Sequence, residues 1–426
     1  MRFLFLYADS SEEWNCSEWR CHIPSNAINA AHESGLTPHT AQLIFLPSAM
    51  DYHNPKVQQV FGKADAIIFQ RNVLTPDVRN AMDYWRALNK VVTIDLDDHY
   101  AGLPPSNPAH AFWILNAAKL PSGDPVADLV EAMRHADALI SPSKVILKDY
   151  EHVVPGFWLP NWPYKKWYEV VTPKPLGTPD IEFGYQQTAE GQVALTGKER
   201  SDSAGWITLG WGGSISHVDS WVYSGICEAL DRVFQDPKYG NVRLKFCGHE
   251  QRINYILDRW GDKVVRQHGV KPEHWPYVVA SFDVGLAPLD MRPVPSNTWK
   301  DGEVKWEGGE YSYDERRSWL KGVEYLCAGV PWLGTRCATY IDLERHGVLV
   351  ENGEENWYRA LTDMINNIGA RKVLANDKRK WALKKYTMEG NVNEYAAVYE
   401  RIANMKRAKA GTILPNVLWN KIEYAT

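Results

Sequence analysis

Short apolar runs recur along this chain in two sets, and the polar stretch Tyr164–Gly205 separates them. In the first set, Phe3–Tyr7, Ala66–Gln70, Val91–Asp95 and Ala138–Ser141 read as buried strands, and Pro24–Ser34 has the spacing of an amphipathic helix. In the second, Trp206–Trp211, Val242–Cys247, Val264–Gln267, Val284–Ala287 and Val330–Leu333 read as strands. Helices are predicted over Trp221–Phe234, 355–367, 371–385 and Glu394–Lys409. Strands that are apolar on both faces and alternate with helices imply βαβ units and parallel sheets. The expectation is an α/β chain with two Rossmann-like domains, 1–163 and 206–389, joined by a linker or hairpin over 164–205 and followed by a last segment, 390–426. Open parallel sheets bind ligands beyond the carboxyl ends of their strands, so a cleft between the domains is the expected site.

With 426 residues the chain has ample core for such domains. A net charge of −5 gives no global field that would draw in nucleic acid or an anionic membrane. The six cysteines include no C-x-x-C pair, which argues against a zinc site or a disulfide framework and fits a reducing cytoplasm. Arg2–Tyr7 is too short for a signal peptide, and no apolar stretch is long enough to span a bilayer. The 19 tryptophans and 21 tyrosines are an unusual load. They serve either as core or as platforms for sugar rings or bases.

Three segments carry candidate chemistry. In Arg316–Pro331, Ser318 can cap a helix whose apolar face is Leu320, Val323 and Leu326, and Gly329 and Pro331 can end it. Lys321 and Glu324 share one face of that helix, either as a surface ion pair or as a clamp for a diphosphate and a ribose. Arg316 and Arg317 add guanidinium forks that match phosphate oxygens. The second segment, Gly210-Trp211-Gly212-Gly213-Ser214-Ile215-Ser216-His217-Val218-Asp219, runs from strand to helix through adjacent glycines. Gly212, Gly213 and Ser214 can bring backbone N–H groups against a phosphate with His217 alongside, or they are a tight turn capped by Ser216 or Asp219. In the third, strand Val91–Asp95 runs into Asp97-Asp98-His99-Tyr100. Clustered carboxylates repel one another, so one pKa should rise toward that of a base working near neutrality, unless Asp97 or Asp98 merely caps the next element. A metal site is the lesser alternative there. Two late basic stretches, Arg371–Lys385 and Arg401–Lys409, are solvated helix faces or contacts to a polyanionic acceptor.

Taken in order, G-W-G-G-S-x-S-H-x-D, F-C-G-H, S-F-D-V-G-L-A-P-L and S-W-L-K-G-V-E-Y-L-C-A-G-V-P resemble the C-terminal domain of GT-B glycosyltransferases, nearest the retaining family-four type. The match covers about half the chain, from Trp206 to roughly Asn367. The D-I-D-D-like run at Asp95–Asp98 resembles a branch seen in phages and surface-polysaccharide clusters. The resemblance implies a GT-B fold, with the last helix crossing back onto the first domain, in a bacterial or phage-infected host cytoplasm. It implies that Gly212, Gly213 and Ser214 hold the diphosphate of a nucleotide-sugar donor and that Glu324 binds its ribose. Glu18, Trp19 and Arg20, in the loop after the first strand, would meet the acceptor, a glycan or a hydroxymethylated base in DNA. The fold normally neutralises phosphate without a metal or other cofactor. Inversion would make Asp97 or Asp98 the base. One departure stands out: Arg317 occupies the place of a glutamate that contacts the donor sugar in many members. That leaves room for a non-catalytic nucleotide-sugar-binding protein.

Overall fold

The computed structural model describes residues 1–9, 16–99, 102–107, 110–111, 116–187, 193–248, 253–293, 297–300, 303–306 and 311–411. Tyr100, Pro108, His249, parts of the aromatic 290–315 insertion and the segment 412–426 lie outside these residues.

The first domain contains β1 (Arg2–Tyr7), β2 (Thr40–Phe45), β3 (Ala66–Gln70), β4 (Val91–Asp95), β5 (Ala138–Ser141) and β6 (Gly156–Trp158). They form one parallel sheet in the order β2-β1-β3-β4-β5-β6. An antiparallel hairpin, β7 (Ile181–Gln187) and β8 (Val193–Glu199), leads into the second domain. There β9 (Ile207–Gly212), β10 (Val242–Cys247), β11 (Val264–Gln267) and β12 (Val284–Ala287) precede a two-stranded ribbon, β13 (Asn297–Lys300) and β14 (Glu303–Trp306). The strands β15 (Trp332–Thr335) and β16 (Val348–Val350) complete a second parallel sheet in the order β11-β10-β9-β12-β15-β16. Counted from β9, this is the 3-2-1-4-5-6 order of dinucleotide-binding sheets, with its topological switch point between β9 and β12.

Each sheet is covered on both faces, which is why its central strands are buried and mostly apolar. Edge strands β2, β6 and β16 left no comparable run; β2 is half exposed and the other two span only three residues each. The helix predicted over Trp221–Phe234 is two helices, Val218–Tyr223 and Ile226–Gln235, because Gly225 adopts φ 88° between them. An added Cβ there would lie 2.6 Å from the Gly353 carbonyl carbon, so apolar periodicity runs on while the backbone does not. Strand β15 starts two residues later than predicted. Gly329 (φ 72°) and Val330 close the preceding helix by bonding back to Leu326 and Tyr325.

The last helix, Val392–Gly411, packs on the first domain, with Tyr395, Tyr399 and Ile402 against Phe3 and Phe5. Other ties join the domains directly. Asn161 donates to Ser318 Oγ (3.1 Å), Trp319 Nε1 donates to Asn161 O (3.2 Å), and Lys144 pairs with Asp342 (2.6 Å). No helix among the described residues is long and apolar enough to cross a membrane.

Candidate active site in the interdomain cleft

On the second domain, β9 delivers Gly212 to the switch point, and a single 3-10 turn, Ile215–His217, starts the next helix. Side chains are excluded from this turn. A Cβ on Gly212 would sit 2.1 Å from the Trp275 ring, and one on Gly213 would sit 2.6 Å from Trp211 and 3.2 Å from Lys321 Nζ. Only glycine therefore fits at these two positions, and a turn without side chains is what close approach by a phosphate requires. Lys321 Nζ donates to Gly212 O at 2.6 Å. Arg317 holds the other side: Nε donates to Asp314 Oδ1 (2.6 Å) and Nη2 to Ser216 O (2.7 Å), and Nη1 lies 3.3 Å from His217 Nε2.

His217 follows from this arrangement. Burial, then the charges of Arg317 and Lys321, hold its pKa well below the usual value, so the ring is neutral. A guanidinium donates and never accepts, so Nε2 is the acceptor and the ring proton resides on Nδ1. That Nδ1 is buried and has no partner among the described residues. Lys321 thus bonds the glycine turn, and Arg317 bonds Ser216 O and His217 just after it.

The helix Leu320–Ala328 carries Lys321 and Glu324 inward; Glu324 is 5% exposed. The two make no ion pair with each other. Instead Tyr168 OH donates to Glu324 Oε1 at 3.0 Å, and Trp275 also hydrogen-bonds that carboxylate. Burial pushes the Glu324 carboxyl up and the Lys321 ammonium down, so the surface-pair reading does not describe them. Trp319, not Ser318, stands at the N-cap of this helix; Ser318, two residues ahead of it, accepts only a long bond from Leu320 N at 3.4 Å.

Across the cleft, the first sheet has its own switch point between β1 and β3. Arg71 stands there with a φ of 31°, a strained value for a side-chain-bearing residue. It pairs with Asp9 and reaches Asp98 at 3.5 Å. Burial and the Asp98 charge raise the Asp97 carboxyl to about 6. Asp98 in turn acts electrostatically on Tyr313 and Arg317 of the second domain, so the carboxylate run faces the donor-side cations. Glu18 is raised to about 7, first by burial and then by Glu273 of the second domain, which places it at the cleft as well. Cys16, Asp97 and Asp98 offer ligand atoms within 4.8 Å of one another, a juxtaposition invisible in the sequence because Cys16 comes from a distant segment. The Arg71 guanidinium reaches Asp98 of this cluster at 3.5 Å.

Four residues singled out from the sequence lie elsewhere. Arg20 is buried in a bidentate pair with Asp95 (2.7 and 2.8 Å) and also bonds Leu159 O and Asn161, so it holds the domain's interior rather than an acceptor. Trp19 is core. His99 is buried and bonds Asp149 at 3.1 Å. Arg316, expected at the diphosphate, is 1% exposed and takes the same Asp149 through Nε (2.6 Å) and Nη2 (3.1 Å), tying the domains together. Buried charges require partners, and these three polar residues found theirs inside the protein. Several side chains of the late basic stretches are likewise engaged. Arg371, Lys372 and Lys406 pair with Asp363, Asp283 and Asp137, while Lys378 and Arg379 bond backbone carbonyls. Sequence reasoning missed Asp314, Asp290, Arg71 and Tyr168; the signals it could have used were the position of Arg71 directly after the predicted strand Ala66–Gln70 and of Asp290 three residues after Val284–Ala287.

These two Rossmann-like halves, with the carboxyl ends of both parallel sheets turned to one cleft, define the GT-B fold. Solved structures agree over nearly the whole chain. HepE from Anabaena, in complex with UDP-glucose, is 14% identical, with 96% of this chain and 100% of that one covered and a TM-score of 0.51. The sucrose-phosphate synthase of Thermosynechococcus elongatus is 11% identical, covering 95% and 99%, with a TM-score of 0.56. A UDP-forming α,α-trehalose-phosphate synthase of Burkholderia vietnamiensis is 10% identical, covering 97% and 98%, with a TM-score of 0.53. At such identities the likeness establishes the fold. No family model matches the chain, and no curated protein does.

Proposed function

We propose that this protein is a glycosyltransferase that moves a sugar from a nucleotide-diphosphate donor to an acceptor hydroxyl. The observation that carries the proposal is the buried, unpartnered Nδ1–H of His217 beside Lys321, Arg317 and the bare Gly212–Gly213 backbone. A buried donor without an acceptor costs about 1–3 kcal/mol, and a diphosphate oxygen would satisfy it. As the glycosidic bond to the diphosphate breaks, negative charge grows on the leaving oxygens, and preorganised cations and N–H groups stabilise that charge in a water-poor cleft. Glu324, held by Tyr168, is assigned to the ribose. That HepE was solved with UDP-glucose is consistent with this use of the fold.

The resemblance to the family-four type implies retention, with the leaving phosphate taking the acceptor proton. Inversion is favoured by one observation, the raised Asp97 carboxyl, which suits a base near neutrality. Proton NMR of the first-formed product separates the two, since an anomeric configuration opposite to the donor's means inversion, with Asp97 or Asp98 as the base. A glycan is the better acceptor reading than DNA, because several of the late basic side chains, Arg371, Lys372 and Lys406 among them, are paired with carboxylates of the protein. A duplex acceptor would show activity falling steeply between low and moderate salt. The test of the whole reading is a thermal-shift and turnover screen with UDP-, GDP-, ADP- and TDP-sugars. If no donor raises the melting temperature, the proposal fails. Tight binding without hydrolysis or transfer would instead identify a non-catalytic sugar-nucleotide-binding protein.

A further inference from the structure

A cavity of about 300 Å³ lies between the domains, one turn beyond the glycine turn. Asp219, Asp290, Arg292 and Asp314 of the second domain form one side, and Ser106 and Asn107 of the first close it over. Two bonds across the cleft fix that closure: Ser106 Oγ to Asp219 Oδ2, and Asn107 Nδ2 to Ser216 O at 3.2 Å. Small-ligand sites run from about 300 to 1,000 Å³, so this one has room for a sugar ring rather than a nucleotide. It also lies between the two halves of the candidate machinery. Arg317 reaches its wall through Ser216 O and Asp314, and Tyr313, which lines it, feels the charge of Asp98.

The lining chemistry narrows the occupant. The carboxylates of Asp219, Asp290 and Asp314 outnumber the cations Arg292 and Arg317, and their oxygens are hydrogen-bond acceptors. A polyhydroxyl ring supplies the donors such oxygens take. A ring bearing its own carboxylate would bring like charge into a half-buried space, which is costly. Arg317, meanwhile, stands where a sugar-contacting glutamate was expected and is pinned by Asp314. We infer that this cavity is the subsite for the donor's sugar ring, that it selects a neutral hexose over a uronic acid, and that Asp219 and Asp290 read the hydroxyls in place of the missing glutamate. The inference rests on the nucleotide-sugar reading above.

Calorimetric titration of the full chain tests it. The probes are UDP, GDP, ADP and TDP, each alone, as its glucose conjugate and as its glucuronate conjugate. For the base that binds, the glucose conjugate is expected to bind at least about tenfold more tightly than the glucuronate conjugate. Asp290→Asn is expected to weaken the glucose conjugate about tenfold while leaving the free diphosphate within about twofold. Asn107→Ala, on the opposite wall and outside the second-domain core, should shift the same ratio. Equal losses for free and conjugated diphosphate, an unchanged ratio in both variants, or equal binding of glucuronate would each overturn the sugar subsite while leaving the donor reading in place. Failure of every free diphosphate to bind the wild-type protein would overturn both.

Discussion

Replacing Glu324 with alanine separates a structural carboxylate from a ligand-binding one. In the folded chain Glu324 accepts from Tyr168 OH at 3.0 Å and from Trp275, and burial raises its carboxyl to about 7 from 4.5. If it also accepts from a ribose hydroxyl, the variant loses a hydrogen bond to a charged group, worth about 1.5–3 kcal/mol. At about 1.4 kcal/mol per decade, donor and free nucleotide should both bind roughly 10- to 150-fold more weakly. Stability moves separately. Removing the carboxylate leaves the buried Tyr168 hydroxyl without an acceptor, a cost of about 1–3 kcal/mol, which Tyr168→Phe in the same chain should largely relieve. The pH dependence has a definite sign. A carboxyl whose pKa is raised on folding contributes stability below its unfolded value near 4.5, and that contribution is lost as pH rises through about 7. Wild-type stability should therefore decline across that window relative to the alanine variant, read by urea denaturation at a series of pH values. The affinity is read by calorimetry at one pH with whichever nucleotide binds. Unchanged nucleotide affinity in a folded Glu324→Ala protein would refute the ribose role, whatever happened to stability.

Gly213→Ala should abolish donor binding and cost about 1–3 kcal/mol of stability, because its Cβ would lie 2.6 Å from Trp211; near-normal binding would show that the turn does not cradle phosphate. If Asp97 is the base, log kcat/KM should rise with unit slope up to about pH 6 and then level, and Asp97→Asn should lose about 10²–10⁴-fold; a flat acid limb would point to the leaving phosphate instead. Asp149→Ala strips Arg316 of its buried partner across the domain junction and should destabilise by about 3–5 kcal/mol, seen as a lower denaturation midpoint. His217→Phe should weaken free diphosphate by about tenfold and cost about 0.5–1.5 kcal/mol of stability for the lost Arg317 Nη1–Nε2 bond, since the buried Nδ1 has no partner among the described residues; intact diphosphate binding in the folded variant would overturn the tautomer argument.

The sequence by itself determined the strands at the centre of both sheets, because a strand buried on two faces is apolar at most of its positions. β3, β4, β5, β10 and β12 fall within the residues read as strands, and so does the edge strand β11. It determined the glycine turn after β9 and the helix that bears Lys321 and Glu324, since each depends on residues adjacent in the chain. Tertiary structure decided which charges are free to meet a ligand. Arg316 and Arg317 are neighbours in sequence with identical side chains, yet one is sealed against Asp149 in the first domain and the other reaches Ser216 and His217 at the turn. Likewise Arg20 was spent on Asp95, and Glu324 found Tyr168 rather than Lys321. The cavity lined by Asp219, Asp290 and Asp314 was illegible for the same reason. A buried charge takes its partner from whichever element the fold packs against it, and no local pattern of residues records that choice.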